Sequence, residues 1–257
     1  MIEIKNLKFA YGKKQILKDI SLTLNSGEII GIIGKSGSGK SAFLKILSGK
    51  TKIIHGEVNL NNTPLKSFSR KKLHQTISYS QNDLPANIDD SLYNYLMLSR
   101  IPFKKFFKPF NDYDKQLVEK YMGIFKIDEN RIDKINTLCH CKLQKLILAH
   151  TFIRETDVLL LDNPTENLDL EAIIILRKAI MRYIFNGDKI VIISSNNINF
   201  ILQTCDRIII LDDGHIGMEG PPDMVDAKMI KKYFSTDVFI SRNIYNGKPE
   251  VHLFPEN

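Results

Sequence analysis

Short runs of β-branched apolar residues punctuate this chain. Residues 28–33, 158–162, 189–194 and 207–211 are apolar at nearly every position and too short for helices. Such runs predict strands buried on both faces of a parallel sheet. Residues 2–10 and 20–25 instead alternate apolar with polar, the period of half-buried strands, with Tyr11-Gly12-Lys13-Lys14 as the turn between them. Residues 56–62 read as a strand running into a turn, and 76–81 as a short strand ending in the amide of Gln81. Residues 42–48 are helical in composition and stop at Gly49. After Pro85 the texture becomes helix-rich, through Leu92, Tyr95, Leu96 and Leu98. Amphipathic spacing predicts a helix over 113–125 with Leu117, Val118, Tyr121 and Met122 inward, and 143–152 reads as another. Asp212-Asp213-Gly214 forms a turn before His215-Ile216. No internal repeat or low-complexity linker interrupts this α/β order.

A chain of 257 residues buries a large core without disulfide or metal staples. Its 36 Lys and Arg against 29 Asp and Glu give a net charge of +7, which suits an acidic partner without choosing one. The three cysteines, Cys139, Cys141 and Cys205, are odd in number and sparse, which fits a reducing compartment. Cys139-His140-Cys141 lacks a second ligand pair at zinc spacing. The alternating N-terminus does not read as a signal peptide, and no run approaches the ~18 apolar residues of a membrane span. A soluble, cytoplasmic chain is expected, reaching a membrane only through a partner.

Gly34-Lys35-Ser36-Gly37-Ser38-Gly39-Lys40-Ser41 fits G-x-x-x-x-G-K-[ST], the phosphate-binding loop, and stands between a predicted strand and a predicted helix as that loop requires. Its glycines let successive backbone N–H groups turn onto a phosphate, and the helix N-terminus adds partial positive charge. Lys40 would reach the β and γ phosphates, and the Ser41 hydroxyl would sit on Mg²⁺. Residues 158–162 deliver Asp162 at a strand end, where a carboxylate holds Mg²⁺ through its water shell. Tyr11 is either an adenine-stacking ring or an ordinary strand-end tyrosine. The basic aromatic run 103–110 reads as a loop with solvated lysines ahead of a nucleic-acid or membrane patch.

With these pieces placed, the chain resembles the nucleotide-binding subunit of an ABC transporter over nearly its whole length. Tyr11 falls at the family's adenine-stacking aromatic, 34–41 at Walker A, Gln81 at the Q-loop, a magnesium and catalytic position, and 158–162 at Walker B. Asn163-Pro164-Thr165 takes the place of Glu-Pro-Thr, Asn167-Leu168-Asp169 that of the D-loop, and Ser195-Asn196-Asn197 that of the switch segment Thr-His-Asp. The resemblance implies a P-loop NTPase, with a RecA-like core of mixed sheet, an antiparallel β portion and an inserted helical subdomain. The expected ATP-binding domain spans 1–220, its helical subdomain about 83–156, and a C-terminal extension 221–257. Residues 96–102 and the tail from Met229 to Pro249 look like subunits that energise iron-siderophore, haem or cobalamin uptake.

Three positions depart from the family. The signature Leu-Ser-Gly-Gly-Gln or Glu is here Leu138-Cys139-His140-Cys141-Lys142, followed by Gln144. Side chains at 140 and 141 would crowd the phosphate that this segment normally meets on the opposite subunit. His140 and Lys142 are the candidates for a substitute contact. Asn163 replaces the catalytic glutamate; a carboxamide orients a water but cannot take its proton, and losing a general base costs about 10² to 10⁴ in rate. Asn196 replaces the switch histidine and never carries positive charge. In the family each site joins Walker A and B of one chain to the signature of the other. Every site containing this chain, in a homodimer or a heterodimer, is thus expected to bind MgATP and hydrolyse it poorly. The expected role is a subunit coupling ATP to a membrane permease on the inner face of the membrane, the alternative a non-hydrolytic regulatory or scaffolding subunit. A single phosphate loop without long basic extensions argues against a nucleic-acid partner.

Overall fold

The computed structural model describes residues 1–80, 90–105, 108–185 and 187–254. Strand β1 (Ile2–Tyr11) turns at Gly12 and Lys13 into β2 (Lys14–Leu24). Strand β3 (Ile29–Ile33) then leads through the glycine loop into helix α1 (Lys40–Leu47). Next come β4 (His55–Leu60), β5 (Thr63–Pro64), α2 (Arg70–Thr76) and β6 (Ile77–Ser80). Three helices follow, α3 (Leu92–Leu98), α4 (Asp112–Phe125) and α5 (His140–Phe152). The sheet resumes with β7 (Val158–Asp162), α6 (Leu170–Ile184), β8 (Ile190–Ser194), α7 (Ile198–Thr204), β9 (Arg207–Asp212) and β10 (His215–Gly220). The chain closes with α8 (Ala227–Phe234) and a hairpin of β11 (Val238–Arg242) and β12 (Pro249–Leu253).

The main sheet has the order β10-β9-β3-β8-β7-β6 and a second, antiparallel sheet the order β2-β1-β4-β5. Strands β9, β3, β8, β7 and β6 pair in parallel, and β10 adds an antiparallel edge, so the mixed sheet of a P-loop NTPase is present. The predicted strands are buried on both faces, and alternate residues serve different cores. Ile29, Ile33, Leu159, Leu161, Val191, Ile193, Ile208 and Ile210 pack with α3 to α7. Ile30, Ile32, Val158, Leu160, Ile190, Ile192, Ile209 and Leu211 pack instead with α1 and the antiparallel sheet.

Strand β2 begins six residues before the expected 20–25. Its alternation is hidden by bulges in the β1–β2 pairing around Leu7 and Phe9, and by Asp19 at φ 64°. Helix α5 starts at His140, three residues ahead of expectation. Helices α2, α6, α7 and α8 and the terminal hairpin have no counterpart in the sequence reading. In the basic aromatic run, Arg100 lies 3.9 Å over the Phe103 ring and Lys104 4.9 Å over Phe110. Phe106 and Phe107 fall outside the described residues.

Helices α3, α4 and α5 are joined by one buried ion pair. Arg100 Nε donates to Asp114 at 2.8 Å, while its Nη1 reaches the carbonyls of Ile153 and Arg154. Asp114 also completes the capping box with Asn111 that starts α4. Because the pair is further hydrogen-bonded at both ends, it fixes geometry in a place where a lone charge would be costly.

Two measurements test this packing. At Gly31, an added Cβ would lie 2.3 Å from Ile201 Cγ2 on α7. Gly31→Ala is expected to lower stability to urea by about 1–3 kcal/mol. Ile201→Ala in the same chain should make the two effects markedly less than additive. The His150 ring, stacked on Tyr95 at 4.8 Å, is held neutral by burial and then by Arg154 and Lys50, its pKa pushed down to about 3. Below the unfolded-state value near 6.5 the unfolded chain takes up a proton that the native ring refuses, so stability falls as pH drops. From pH 7.5 to 5.5 the loss from this group is expected at roughly 1 kcal/mol, and His150→Phe should flatten that part of the profile.

Candidate functional site

The parallel strands deliver their C-terminal ends to one edge of the main sheet, the usual place for a ligand in such folds. There β3 runs into Gly34, β7 ends at Asp162 and β8 at Ser194, with Asp162 and Ser194 in register. Residues 34–41 pass from this edge into α1, whose N-cap is Gly39 in the left-handed region at φ 107°. Close contacts fix the loop. A Cβ on Gly34 would sit 2.2 Å from the Leu211 carbonyl oxygen, and one on Gly39 would sit 2.8 Å from Leu17 Cδ2. Gly37 faces open space at φ 81°, a conformation glycine takes without penalty.

The Lys40 ammonium folds back over the loop and donates to the carbonyls of Gly34 at 2.7 Å and Lys35 at 3.0 Å. Burial lowers its pKa, and the charge of Asp162 partly opposes that. Ser38 Oγ is buried with no hydrogen-bond partner among the described residues. Lys35 Nζ donates to Ser235 Oγ at 2.9 Å, so the end of α8 touches the loop, and Ser36 is exposed.

Asp162 is buried at the centre of a hydroxyl cluster. Ser41 Oγ donates to its Oδ1 at 3.1 Å, Ser194 Oγ donates to the same oxygen, and Tyr79 OH donates to Oδ2 at 3.0 Å. Its backbone N–H donates to Ser80 Oγ at 3.1 Å. Next in the chain, Asn163 has φ 44°, its N–H on the Ser194 carbonyl at 2.9 Å. Its side-chain Oδ1 accepts the backbone N–H of Asn196 at 3.2 Å. The two substituted positions are therefore in direct contact.

Tyr11 ends β1 55% exposed, its ring nearly perpendicular to that of Phe9 at 4.8 Å between centroids. Gln81 lies outside the described residues. Residues 138–142 form the start of α5, with Cys139 at the N-cap and no side chain capping the first turn. Cys139, His140 and Lys142 are exposed. Their turn meets the segment after Asp162: Cys141 Sγ lies 3.6 Å from Asp169 Oδ2, and Gln144 Nε2 donates to the Pro164 carbonyl at 3.3 Å. No described contact joins residues 138–142 to the glycine loop. Among the described residues no three His, Cys, Asp or Glu side chains group into a metal site.

Tyr79, Ser194 and Ser235 are site residues that sequence reasoning missed. The first two carry a weak signal, being polar positions at or next to the ends of buried strands. A cavity of about 690 Å³ among the described residues, lined by Lys50, Lys52, Arg70 and His74, lies past the C-terminal end of α1, away from the loop.

A glycine loop held by close contacts, a buried lysine and a hydroxyl-bound aspartate at the sheet edge define a nucleotide-phosphate site. Residues 17–166 match the family described as ABC transporter, and the chain belongs to that family as an ATP-binding subunit. It is 30% identical over 249 residues to the phosphonates import ATP-binding protein of Fusobacterium nucleatum, covering 92% of this chain and 98% of the relative. It is 28% identical over 240 residues to an uncharacterized ABC transporter ATP-binding protein of Methanocaldococcus jannaschii, covering 93% of each. It is 25% identical over 239 residues to the petrobactin import ATP-binding protein of Bacillus subtilis, covering 93% and 94%. Among solved structures, an ATP-binding subunit of an ABC transporter superposes with TM-score 0.78 at 20% identity, covering 91% and 93%. A dimeric, post-hydrolysis ATP-binding cassette bound to ADP and Pi gives 0.74 at 23%, covering 86% and 98%. Both likenesses are of fold.

The hydroxyl cluster generates one prediction. Asp162→Ala removes the shared acceptor of Ser41, Ser194 and Tyr79, leaving the buried Ser194 hydroxyl unpaired. Stability to urea is expected to fall by about 1–3 kcal/mol. Unchanged stability would show that the cluster contributes nothing to the fold.

Proposed function

We propose that this chain is a MgATP-binding subunit that closes with a second nucleotide-binding subunit to drive a membrane permease, and that it hydrolyses ATP poorly. The carrying observation is the Asn163–Asn196 contact beside Asp162: the phosphate loop is complete, yet the position that follows Asp162 offers a carboxamide tied to a backbone N–H. In this reading the loop N–H groups and Lys40 hold the phosphates, and Tyr11 stacks on adenine. Ser38 Oγ, buried and without a partner among the described residues, fits a phosphate oxygen as partner. Ser41 and Asp162 are hard-oxygen donors 3.1 Å apart, the chemistry Mg²⁺ takes while keeping waters and phosphate oxygens. Gln81 is the further magnesium and catalytic position. Bound Mg²⁺ would neutralise phosphate charge.

The rest of the cycle lacks its base. Asn163 cannot remove a proton from water, Asn196 brings no positive charge, and Cys139, His140, Cys141 and Lys142 stand where a partner's phosphate would meet small residues. The domain reading is an ATP-binding unit over 1–220, a helical subdomain about 83–156 and an extension over 221–257. It is supported by α3 to α5 entering between β6 and β7. No helix among the described residues is long and apolar enough to cross a membrane, so attachment at the inner face falls to the permease. The cargo proposed is an iron-siderophore, haem or cobalamin-like compound. Residues 96–102 and two petrobactin-import relatives support it; relatives named for phosphonate and methionine import stand beside them. A regulatory or scaffolding subunit that binds ATP without turnover is the second reading, favoured by the same Asn163.

Purification with native partners tests this. A co-purifying permease and ATP turnover well below about 1–10 per second, an ordinary enzyme rate, are expected. Turnover in that range that Asn163→Ala abolishes overturns the poor-hydrolysis reading.

A further inference from the structure

We propose that Asn163 is a hydrogen-bond donor to the terminal phosphate and sets the preference of the site for ATP over ADP; this rests on the nucleotide-binding reading above. The orientation of the carboxamide follows from its partner. The backbone N–H of Asn196 can only donate, so the Asn163 atom 3.2 Å away is the carbonyl oxygen, and the amide cannot be assigned the other way round. The backbone beneath it is pinned on both sides. Asn163 N donates to the Ser194 carbonyl at 2.9 Å, and the Asn163 carbonyl accepts from Glu166 N at 3.1 Å.

With the oxygen engaged, Nδ2 and its two protons are the main hydrogen-bonding capacity the side chain retains. Nδ2 has no partner among the described residues, although Asn163 is half-buried. The residue directly follows Asp162, which holds Ser41 at the end of the phosphate loop, so its place is the terminal-phosphate side of the site. A phosphate offers only acceptors, and an N–H donated to an anion makes one of the stronger hydrogen bonds. ATP presents that group and ADP does not. A carboxylate at 163 would satisfy Asn196 N–H equally well, then face the phosphate with a lone pair and a negative charge. In this chain the position given up as a base thus becomes a contact that retains ATP.

Calorimetric titration of the full chain with MgATP and with MgADP, for wild type, Asn163→Asp and Asn163→Ala, tests the assignment. Asn163→Asp is expected to weaken ATP at least about 10-fold, about 1.4 kcal/mol, while ADP stays within about 3-fold. Asn163→Ala is expected to weaken ATP about 3- to 10-fold and leave ADP unchanged, the size of one lost donor. An unchanged ATP-to-ADP ratio in both variants overturns the proposal, as does parallel loss of both nucleotides in variants with wild-type melting temperature. If the aspartate variant does not fold, the alanine variant decides by the same ratio. Wild type binding neither nucleotide sinks the nucleotide reading itself, whereas wild type binding both with an unaltered ratio in the variants sinks only the donor role.

Discussion

A phosphate loop is useful only if its N–H groups already point inward before any phosphate arrives, and an eight-residue loop has no hydrogen-bonded ladder to hold it so. Here the course of the loop is set largely by the strands around it. Leu211 on β9 and Leu17 on β2 press on the α-carbons of Gly34 and Gly39 so closely that only glycine fits. The Lys40 ammonium ties two loop carbonyls together from within. The strands that supply these contacts come from both sheets, so the shape of the loop depends on the sheets being correctly stacked. Preorganisation of this kind lowers the ordering cost of binding.

The same edge gathers the other reactive groups because parallel strands all end there. Asp162 and Ser194 are neighbours across β7 and β8, and Tyr79 reaches over from β6. The carboxylate thus sits among hydroxyl donors, which keep it satisfied in a buried position. Asn163 lies one residue past the end of β7, and Asn196 two residues past the end of the adjacent β8. The Asn163 carboxamide meets the backbone N–H of Asn196, so the two strand ends are tied together at this point.

Much of this was legible in the chain, and the limits have physical causes. The buried strands announced themselves because burial on both faces demands unbroken apolar runs, and the loop because its glycines are required at fixed spacing. Strand β2 was cut short in the sequence reading since bulges at its partner shift the inward-facing positions by one. Helix α5 begins within 138–142, where cysteine and histidine give no capping signal. Helix α6 keeps Leu170, Ile174 and Met181 exposed, which blurs its amphipathic period. The contact between Asn163 and Asn196 links residues 33 apart in the chain, and the bond from Lys35 to Ser235 spans 200 residues. No local pattern encodes such pairs.

Strict alternation along the central strands has a further consequence. Ile32 answers to one core and its neighbour Ile33 to the other, and the same holds at each step of β7, β8 and β9. The sheet is therefore a partition between two packing problems that share a backbone and almost no side chains. Residues on the α3 to α7 side can drift in size and shape, and that side can be refitted to a new neighbour. The layer that shapes the glycine loop registers the change only through backbone position, so the nucleotide seat and the helical face can evolve at different rates.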